Sequence, residues 1–430
     1  MISSPIFQLD SNQHYVLDCL DKGEGNFFLT GKAGTGKSTL LNAFRRLSDR
    51  KAIFLAPTGI AAIQIKGQTI HSFFRFPATW NQPGDYKKIP SKWLKEIDWI
   101  VIDEVSMVRA DLLDHLNEVL KISLKSNLPF GGKPMFWMGD LYQLPPVVQS
   151  QEEKQRLSSL YDSPYFFSSK AFQSLRQFEM IELQKIYRQR DTNFIRLLNK
   201  MRDNQLDEED LEEINSRFNA EKNLISSDQL RIQLCTTNRM AQIYNHRRLE
   251  SLASASKVYP AVISGKVNPG QFPTDELLTL KAGAQVMFLR NDPQKRYVNG
   301  MLGIIERMEN ETIMIQVPSS NTLIELEAAT WEVIRYNTSS KDGGDLKPEI
   351  TGTFRQFPIK LAWAVTIHKS QGQSFDYVDI DFGSGAFEYG QAYVAFSRCT
   401  SLEGIRLNRP LRQSDILNDE RIVDFMNLHR

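Results

Sequence analysis

The chain is poor in the residues that build metal and disulfide frameworks. Its 430 residues include only three cysteines, Cys19, Cys235 and Cys399, and six histidines. The cysteines are scattered, with no Cys-x-x-Cys pair and no Cys/His cluster. That argues against a zinc site or a disulfide frame and fits a reducing compartment. No apolar run approaches the ~20 residues of a membrane span. The start, MISSPIFQLDSNQH, lacks a basic segment followed by an apolar block, so no secretory signal is expected. Net charge is scarce as well: 52 basic and 51 acidic side chains leave +1. Any polyanion would have to be held in a local groove, because the chain as a whole exerts no long-range attraction. No internal sequence repeat is visible. The expectation is a soluble cytoplasmic protein with no membrane partner.

What is present is enough apolar residue, 41%, for a sizeable core, in a length that suits two to four domains. Through the first 180 residues, short apolar runs alternate with helical periodicity. NFFLTG (26–31), KAIFLAPT (51–58), WIVIDEVSM (99–107) and PMFWMGD (134–140) read as buried strands, and ADLLDHLNEVLKISL (110–124) reads as a helix. Alternation of this kind predicts a parallel sheet covered on both faces, with ligands beyond the carboxyl ends of the strands. A second α/β pattern starts near 178, with strands FEMIEL and LRIQLCTTN. From 283 to 354 the helical period disappears, and short alternating strands predict a small inserted β-barrel whose tract SSKDGGDLKPE (339–349) is a hairpin tip. YVDIDFG (377–383) and EYGQAYVAFSR (388–398) resume the α/β pattern. The predicted boundaries are 1–180 for the first α/β domain, 181–282 with 355–430 for the second, and 283–354 for the insertion.

GKAGTGKS (31–38) matches the phosphate-loop pattern without exception, and Thr39 follows. It lies after a strand and before the helix KSTLLNAFRRL, the context in which such a loop wraps phosphates. The backbone N–H groups of Gly34, Thr35, Gly36, Lys37 and Ser38 suit a β-phosphate at a helix N-terminus, and Gly31 and Ala33 shape the turn. Lys37 would reach the β- and γ-phosphates, and the Ser38 hydroxyl would join Mg²⁺. Asp103 and Glu104, at the end of a strand, suit a Mg²⁺-holding carboxylate and a base that orients the attacking water. Gln143, in GDLYQLPPV, is a candidate γ-phosphate sensor, and the alternative is an exposed turn residue. The cofactors expected are therefore a nucleoside triphosphate, which the resemblance below makes ATP, and Mg²⁺. A phosphate-loop kinase or GTPase fits poorly, since either would need only one α/β domain.

The blocks GKAGTGKST, APTGIAA (56–62), TIHSFF (69–74), IDEVSM, GDLYQLPPV, LQKIYRQ (183–189), VTIHKSQGQSFD and YVAFSRCTS (393–401) occur in the order found in superfamily-one helicases of the 5′-to-3′ branch. The set closely resembles the Pif-type (petite integration frequency) DNA helicases, and more distantly the RecD-like enzymes. The resemblance implies two RecA-like motor domains with ATP in the cleft between them, an inserted SH3-like subdomain, and a short wedge insertion near 63–80. It implies that Gln13 reads adenine with both ends of its amide. It implies that Arg188 and Arg398 supply positive charge from the second motor, and that Gln371 and Gly372 touch the ATP cleft. Single-stranded DNA, duplex and G-quadruplex junctions are the implied partners. A working monomer is expected, with pairing on DNA left open.

For the strand path, Pro57, Thr58 and Gly59 open a small-residue helix that suits a backbone phosphate. His71 and Phe73 lie among aromatics beside a cation, a pattern that suits base stacking, while some of these rings belong to the core. Thr236, Thr237 and Asn238 sit at a strand's carboxyl end. AVTIHKSQGQSFD (364–376) looks at first like a second phosphate loop, but its glycine spacing is wrong. Thr366, His368 and Lys369 instead offer the donor mixture that binds DNA phosphates. The resulting expectation is a 5′-to-3′ ATP-dependent DNA helicase with family links to repair, recombination and telomere maintenance. The alternative is a DNA-stimulated translocase that remodels nucleoprotein without processive unwinding.

Overall fold

In the computed structural model, the residues described are 9–76, 88–148, 150–189, 191–218, 230–267, 272–294, 296–318, 321–338 and 346–429. They fall into two compact units. The first comprises the chain up to Tyr187 with the described parts of 334–350 and 420–430. The second comprises the described parts of 188–333 and 351–419.

The first unit is built on six parallel strands: β1 (Asn26–Gly31), β2 (Ala52–Ala56), β3 (Gln68–Thr69), β4 (Trp99–Ile102), β5 (Met135–Met138) and β6 (Glu179–Leu183). Their order is β3-β2-β4-β5-β1-β6. β4 and β5 are buried along their whole length, as expected for strands covered on both faces. β1 serves both layers. Phe27 and Leu29 join Val16, Leu20, Leu40 and Phe44 from the helices Ser11–Lys22 and Lys37–Leu47. Phe28 points the other way, into a cluster with Phe166 and Phe425.

Two expected boundaries move. FEMIEL does not open the second sheet: β6 pairs in register with β1, from Phe27↔Glu179 to Gly31↔Leu183, and buries Ile181 and Leu183 there. This pairing covers the edge that β1 would otherwise expose. The chain's last helix, Glu420–His429, belongs to the first unit and not to the second. Its Phe425 stacks on Phe167 at 4.3 Å and 10° and also meets Phe172 and Phe178. The socket that captures it is assembled from phenylalanines far apart in sequence.

β7 (Ile232–Cys235) opens the sheet of the second unit. An antiparallel stretch follows in sequence: β8 (Ser256–Pro260), β9 (Val262–Gly265), β10 (Leu277–Lys281), β11 (Gln285–Phe288), β12 (Leu302–Met308), β13 (Thr312–Val317), β14 (Thr322–Glu327), β15 (Ala329–Thr338), β16 (Leu346–Gln356) and β17 (Ile359–Leu361). These strands form sheets in the orders β10-β8, β14-β13-β12-β11-β17 and β15-β16-β9. Val286, Phe288, Ile305, Ile313, Ile315 and Ile324 give this region its own core. It begins and ends outside the expected 283–354. β9 escaped notice because all four of its residues are exposed, leaving no alternation to read. β18 (Ala364–Thr366), β19 (Val378–Asp381) and β20 (Ile405–Leu407) then join β7 in a parallel sheet ordered β18-β7-β19-β20.

Residues 77–80 of the expected wedge and 339–345 of the expected hairpin tip lie outside the described residues. Among the described residues, no helix is long and apolar enough to cross a membrane.

Candidate functional site

β1 ends at Gly31, a turn follows, and a helix begins at Lys37, so the phosphate loop sits at the sheet's carboxyl edge. The loop is held by its own groups. Lys37 Nζ donates to the carbonyls of Gly31 (2.6 Å) and Lys32 (3.1 Å). The Thr35 N–H and hydroxyl both donate to Lys32 O. Ala33 and Thr35 are buried, whereas Ser38 and Thr39 lie exposed on the first helical turn. Gly36 has φ 85°, and a Cβ there would lie 2.8 Å from Gln13 Nε2, so glycine is required by conformation and by space.

Gln13 is 2% exposed and fastens the first helix to this loop. Its Oε1 accepts from Asp10 N in a reciprocal cap, Asp10 Oδ1 accepts from Gln13 N, and Nε2 donates to Thr35 O at 3.4 Å. Both ends of the amide expected to read adenine are thus engaged by protein. A residue missed in the sequence stands beside it. Tyr187 donates its N–H to Gly34 O and its hydroxyl to Asp10 Oδ2, each at 2.9 Å, and keeps part of its ring exposed. Its only signal was its place one residue before Arg188.

β4 delivers Asp103 and Glu104. Asp103 Oδ1 accepts from Glu104 N at 2.9 Å, and Glu104 takes a left-handed conformation at φ 50°. Burial, and then the neighbouring Glu104 charge, push the Asp103 carboxyl up to about 7, against the pull of the Glu104 N–H and Lys37. The loop after β5 comes against this turn: a Cβ on Gly139 would lie 3.0 Å from Val105 N. Gln143 is buried, not an exposed turn residue, and its Nε2 donates to Asp140 Oδ2 at 3.4 Å. Asp140, at the strand end where the sequence places chemistry, accepts from Tyr142 N as well and so organises the loop.

In the second unit, Arg188 and Arg398 meet at one residue. Arg188 Nη1 donates to Ser397 O (3.1 Å), and Arg398 Nη2 donates to Ser397 Oγ (2.7 Å). Gln189 ties the same helix end, donating to Ser397 O and Cys399 O. Arg398 is 1% exposed, so it is no surface arginine; its Nε donates to Val394 O, and its Nη1 reaches Ser370 O and Gln373 O at 3.4 and 3.5 Å. Burial lowers the affinity of Arg188 for its proton.

Several residues expected on the strand path do other work. Thr58, Thr237 and Thr366 each accept from the backbone N–H three residues on, that of Ala61, Met240 and Lys369. Each hydroxyl is therefore a cap at a strand end, beside Pro57 and Gly59 in the first case. Thr236, expected on the strand path, lies in the interior, where its hydroxyl faces Met240 Sδ at 3.4 Å. Phe73, also expected there, is 6% exposed and packs edge-on against Phe74 inside the short helix Ile70–Phe74. His71 is exposed on that helix, and its surroundings and Arg109 hold the imidazole below its usual range. Asn238 and Lys369 are exposed, as a phosphate contact requires, and Gly372 is exposed beside half-buried Gln371. His368 places Nε2 2.8 Å from Glu388 Oε2. Lys360 on β17, absent from the sequence reading, is pushed down to about 8 by burial and then by Lys369, which puts two cations in reach of each other.

Two α/β units, one with a phosphate loop beside an acidic strand end, define the class of phosphate-loop proteins with RecA-like sheets. A family model described as PIF1-like helicase matches residues 8–212, and one described as helicase matches residues 351–427. The ATP-dependent DNA helicase Pif1 of Bdellovibrio bacteriovorus is 32% identical over 414 residues, covering 93% of this chain and 88% of that protein. Unliganded Pif1 from Bacteroides sp matches at a TM-score of 0.87 and 35% identity, over 98% of this chain and 97% of that one. Pif1 helicase from Bacteroides in complex with ADP-AlF3 and ssDNA matches at 0.72 and 35%, over the same shares. The chain belongs to the PIF1-like helicase family. It spans about six-tenths of the length of its vertebrate relatives, 61% in the case of Xenopus laevis ATP-dependent DNA helicase PIF1, at 34% identity over 93% of this chain.

Proposed function

We propose that the chain is an ATP-dependent DNA helicase that moves 5′ to 3′ along single-stranded DNA and opens duplex ahead of it. The observation that carries the reading is the phosphate loop beside the Asp103–Glu104 turn, in a chain whose relatives include a Pif1 helicase in complex with ADP-AlF3 and ssDNA. In this reading Lys37 leaves the Gly31 and Lys32 carbonyls for the β- and γ-phosphates. Glu104 orients the attacking water, and Gln143 responds to the γ-phosphate from its seat on Asp140. Arg188 and Arg398 supply positive charge to the transferring phosphoryl group, so turnover depends on the second unit. Gln13 and the open face of Tyr187 suit recognition of a nucleobase.

The residues fit Mg²⁺. An exposed Ser38 hydroxyl and a single buried carboxylate are a small donor set of the kind this ion takes together with phosphate oxygens and water. The carboxyl of Asp103, pushed up to about 7 by burial and then by the Glu104 charge, is one a dication would ionise. Mg²⁺ would there neutralise developing phosphate charge.

For the strand, the exposed Asn238 and Lys369 are the leading contacts in the second unit, and His71 and the backbone at Pro57–Gly59 are the candidates in the first. Forked duplex, G-quadruplex junctions and RNA–DNA hybrids are the substrates to compare. The deciding experiment is strand displacement on 5′- and 3′-tailed duplexes with and without ATP. Opening of the 5′-tailed substrate alone, and only with ATP, is expected. ATP turnover that rises with DNA while neither duplex opens would leave a translocase instead.

A further inference from the structure

The turn after β18 is fastened to the segment 388–399 at two points, both within the second unit. One fastening is buried: Arg398 reaches Ser370 O and Gln373 O, and Phe375 N donates to Arg398 O at 2.9 Å. The other is the pair His368–Glu388, each side chain only about a quarter exposed, at 27% and 28%. Between the two points lies the helix Gln391–Phe396, every residue of which is buried, and Gln391 N donates to Glu388 O. A closely packed helix transmits displacement as a rod. A pull on one end is therefore felt at Arg398 on the other. The layer also holds spare hydrogen-bonding capacity. Gln371 Nε2 and Gln391 Nε2 are buried without a partner among the described residues, so new bonds are on hand if the layer shifts.

The pair has a second property. His368 stands one residue from Lys369, whose side chain is exposed and forms no ion pair among the described residues. His368 Nε2 stands 2.8 Å from Glu388 Oε2 without the alignment of a hydrogen bond, so Glu388 Oε2 is itself a buried oxygen with no hydrogen-bond donor among the described residues. A phosphate oxygen arriving at Lys369 offers the imidazole an anionic oxygen of the same kind, and the two oxygens compete for His368.

We propose that Glu388 is a positioning residue that stands in for a strand phosphate. With no strand bound, its carboxylate occupies His368 and holds the turn 366–373 and the helix carrying Arg398 in a resting arrangement. A bound phosphodiester takes over His368, Glu388 is released, and the helix is free to carry Arg398 to its working position. No covalent bond is made or broken in this exchange, which is only a change of the anionic oxygen that stands against His368. The inference rests on the reading of the chain as a strand-stimulated ATP hydrolase.

The test compares wild type with Glu388→Gln, His368→Gln and the double variant. ATP turnover is measured with and without saturating oligo-dT, oligo-dT affinity by fluorescence anisotropy, and folding by thermal melting. Glu388→Gln is expected to bind oligo-dT about three- to ten-fold more tightly, because the competing charge is gone. Its turnover without DNA should rise, so that the ratio of stimulated to unstimulated rate falls at least about three-fold. His368→Gln should weaken binding, and the double variant should match it, because the two residues act through one contact. Glu388→Gln with unchanged affinity and ratio, or with both rates lowered alike alongside a lower melting temperature, overturns the proposal while strand stimulation of the wild type stands. A wild type whose turnover ignores oligo-dT overturns the helicase reading itself, and the exchange with it.

Discussion

The two units finish their parallel strands with the same device and put different chemistry beside it. β2 ends at Ala56, two residues before Thr58, and β7 ends at Cys235, two residues before Thr237, and each threonine caps the helix that follows through the N–H three residues on. β18 repeats the arrangement with Thr366 over a single turn. Among the described residues, only the first unit adds a strand that ends in a glycine loop, with Lys37 and the acidic turn of Asp103 and Glu104 nearby. The second unit instead gathers Arg188 and Arg398 around Ser397. A scaffold used twice thus carries phosphate-holding groups once and cations once. A shared fold does not imply a shared role, and the role has to be argued from the side chains.

The largest effects should separate these two roles. Lys37→Ala should lower ATP turnover by at least about 10²–10³ and weaken nucleotide binding with it. Arg188→Ala should lower stimulated kcat by about 10³ while leaving the affinity for a fluorescent ADP analogue near that of the wild type. Steady-state turnover and nucleotide titration of both variants make the comparison. Loss of nucleotide affinity in Arg188→Ala would put both functions in one place and break the division.

The next effect concerns which unit owns the chain's last helix. Phe425 packs against Phe28, Phe167, Phe172 and Phe178, all of the first unit. Phe425→Ala should cost about 3–5 kcal/mol of that unit's stability, as cavity-forming changes at buried phenylalanines do. Hydrogen exchange should therefore rise in β1 and hardly at all in β7. Equal loss of protection in both sheets would mean that the helix serves the whole chain.

How much of this could be read from the chain depends on whether the signal is local. Buried parallel strands are continuous apolar runs, so β1, β2, β4 and β5 stood out, and the phosphate loop is a contiguous pattern. The place of β6 could not be read, because FEMIEL specifies a strand but not its neighbour. The last helix could not be placed either, because its socket draws on residues from Phe28 to Phe178. Among site residues, the side-chain type was legible but its partner was not. Gln13 was read as a base reader and is held by Asp10 and Thr35; Thr236 and Phe73 were read as strand contacts and face inward. Tyr187 and Glu388 act through contacts across large sequence separations, which no spacing rule exposes, whereas Asp140 holds Tyr142 and Gln143 from close by in the chain.

A smaller effect follows from the charge asymmetry of the first unit. The folded Asp103 carboxyl titrates near about 7 against an ordinary 3.8, so between those values the folded state holds a proton that the unfolded state has lost. Stability contributed through this group therefore falls as pH rises across that window, and the cost is complete above about 7. Asp103→Asn should accordingly raise the melting temperature by a few degrees at pH 8 and by little at pH 4. Mg²⁺ affinity of the wild type should climb roughly ten-fold per pH unit below 7, since the ion needs the ionised carboxyl. A melting temperature that Asp103→Asn shifts equally at both pH values would show that the carboxyl does not carry this burden.

The smallest effect tests the shared device itself. If Thr58 and Thr237 are caps first, replacing either with Ala should cost about 1 kcal/mol, and Ser should restore most of it, because Ser keeps the hydroxyl that accepts the helix N–H. The consequences for DNA should then differ from those for stability. Thr237 leads into exposed Asn238, so fraying there should loosen oligo-dT binding through the displaced neighbour, and Thr237→Ser should bind as the wild type does. Thr236 provides the control one residue away. Its hydroxyl is turned to Met240 Sδ in the interior, so Thr236→Val should leave oligo-dT affinity unchanged even if the protein melts slightly earlier. A Thr236→Val variant that loses DNA affinity would mean that this hydroxyl turns outward when a strand is bound, and that the strand ends of the two units differ in their motion as well as in their chemistry.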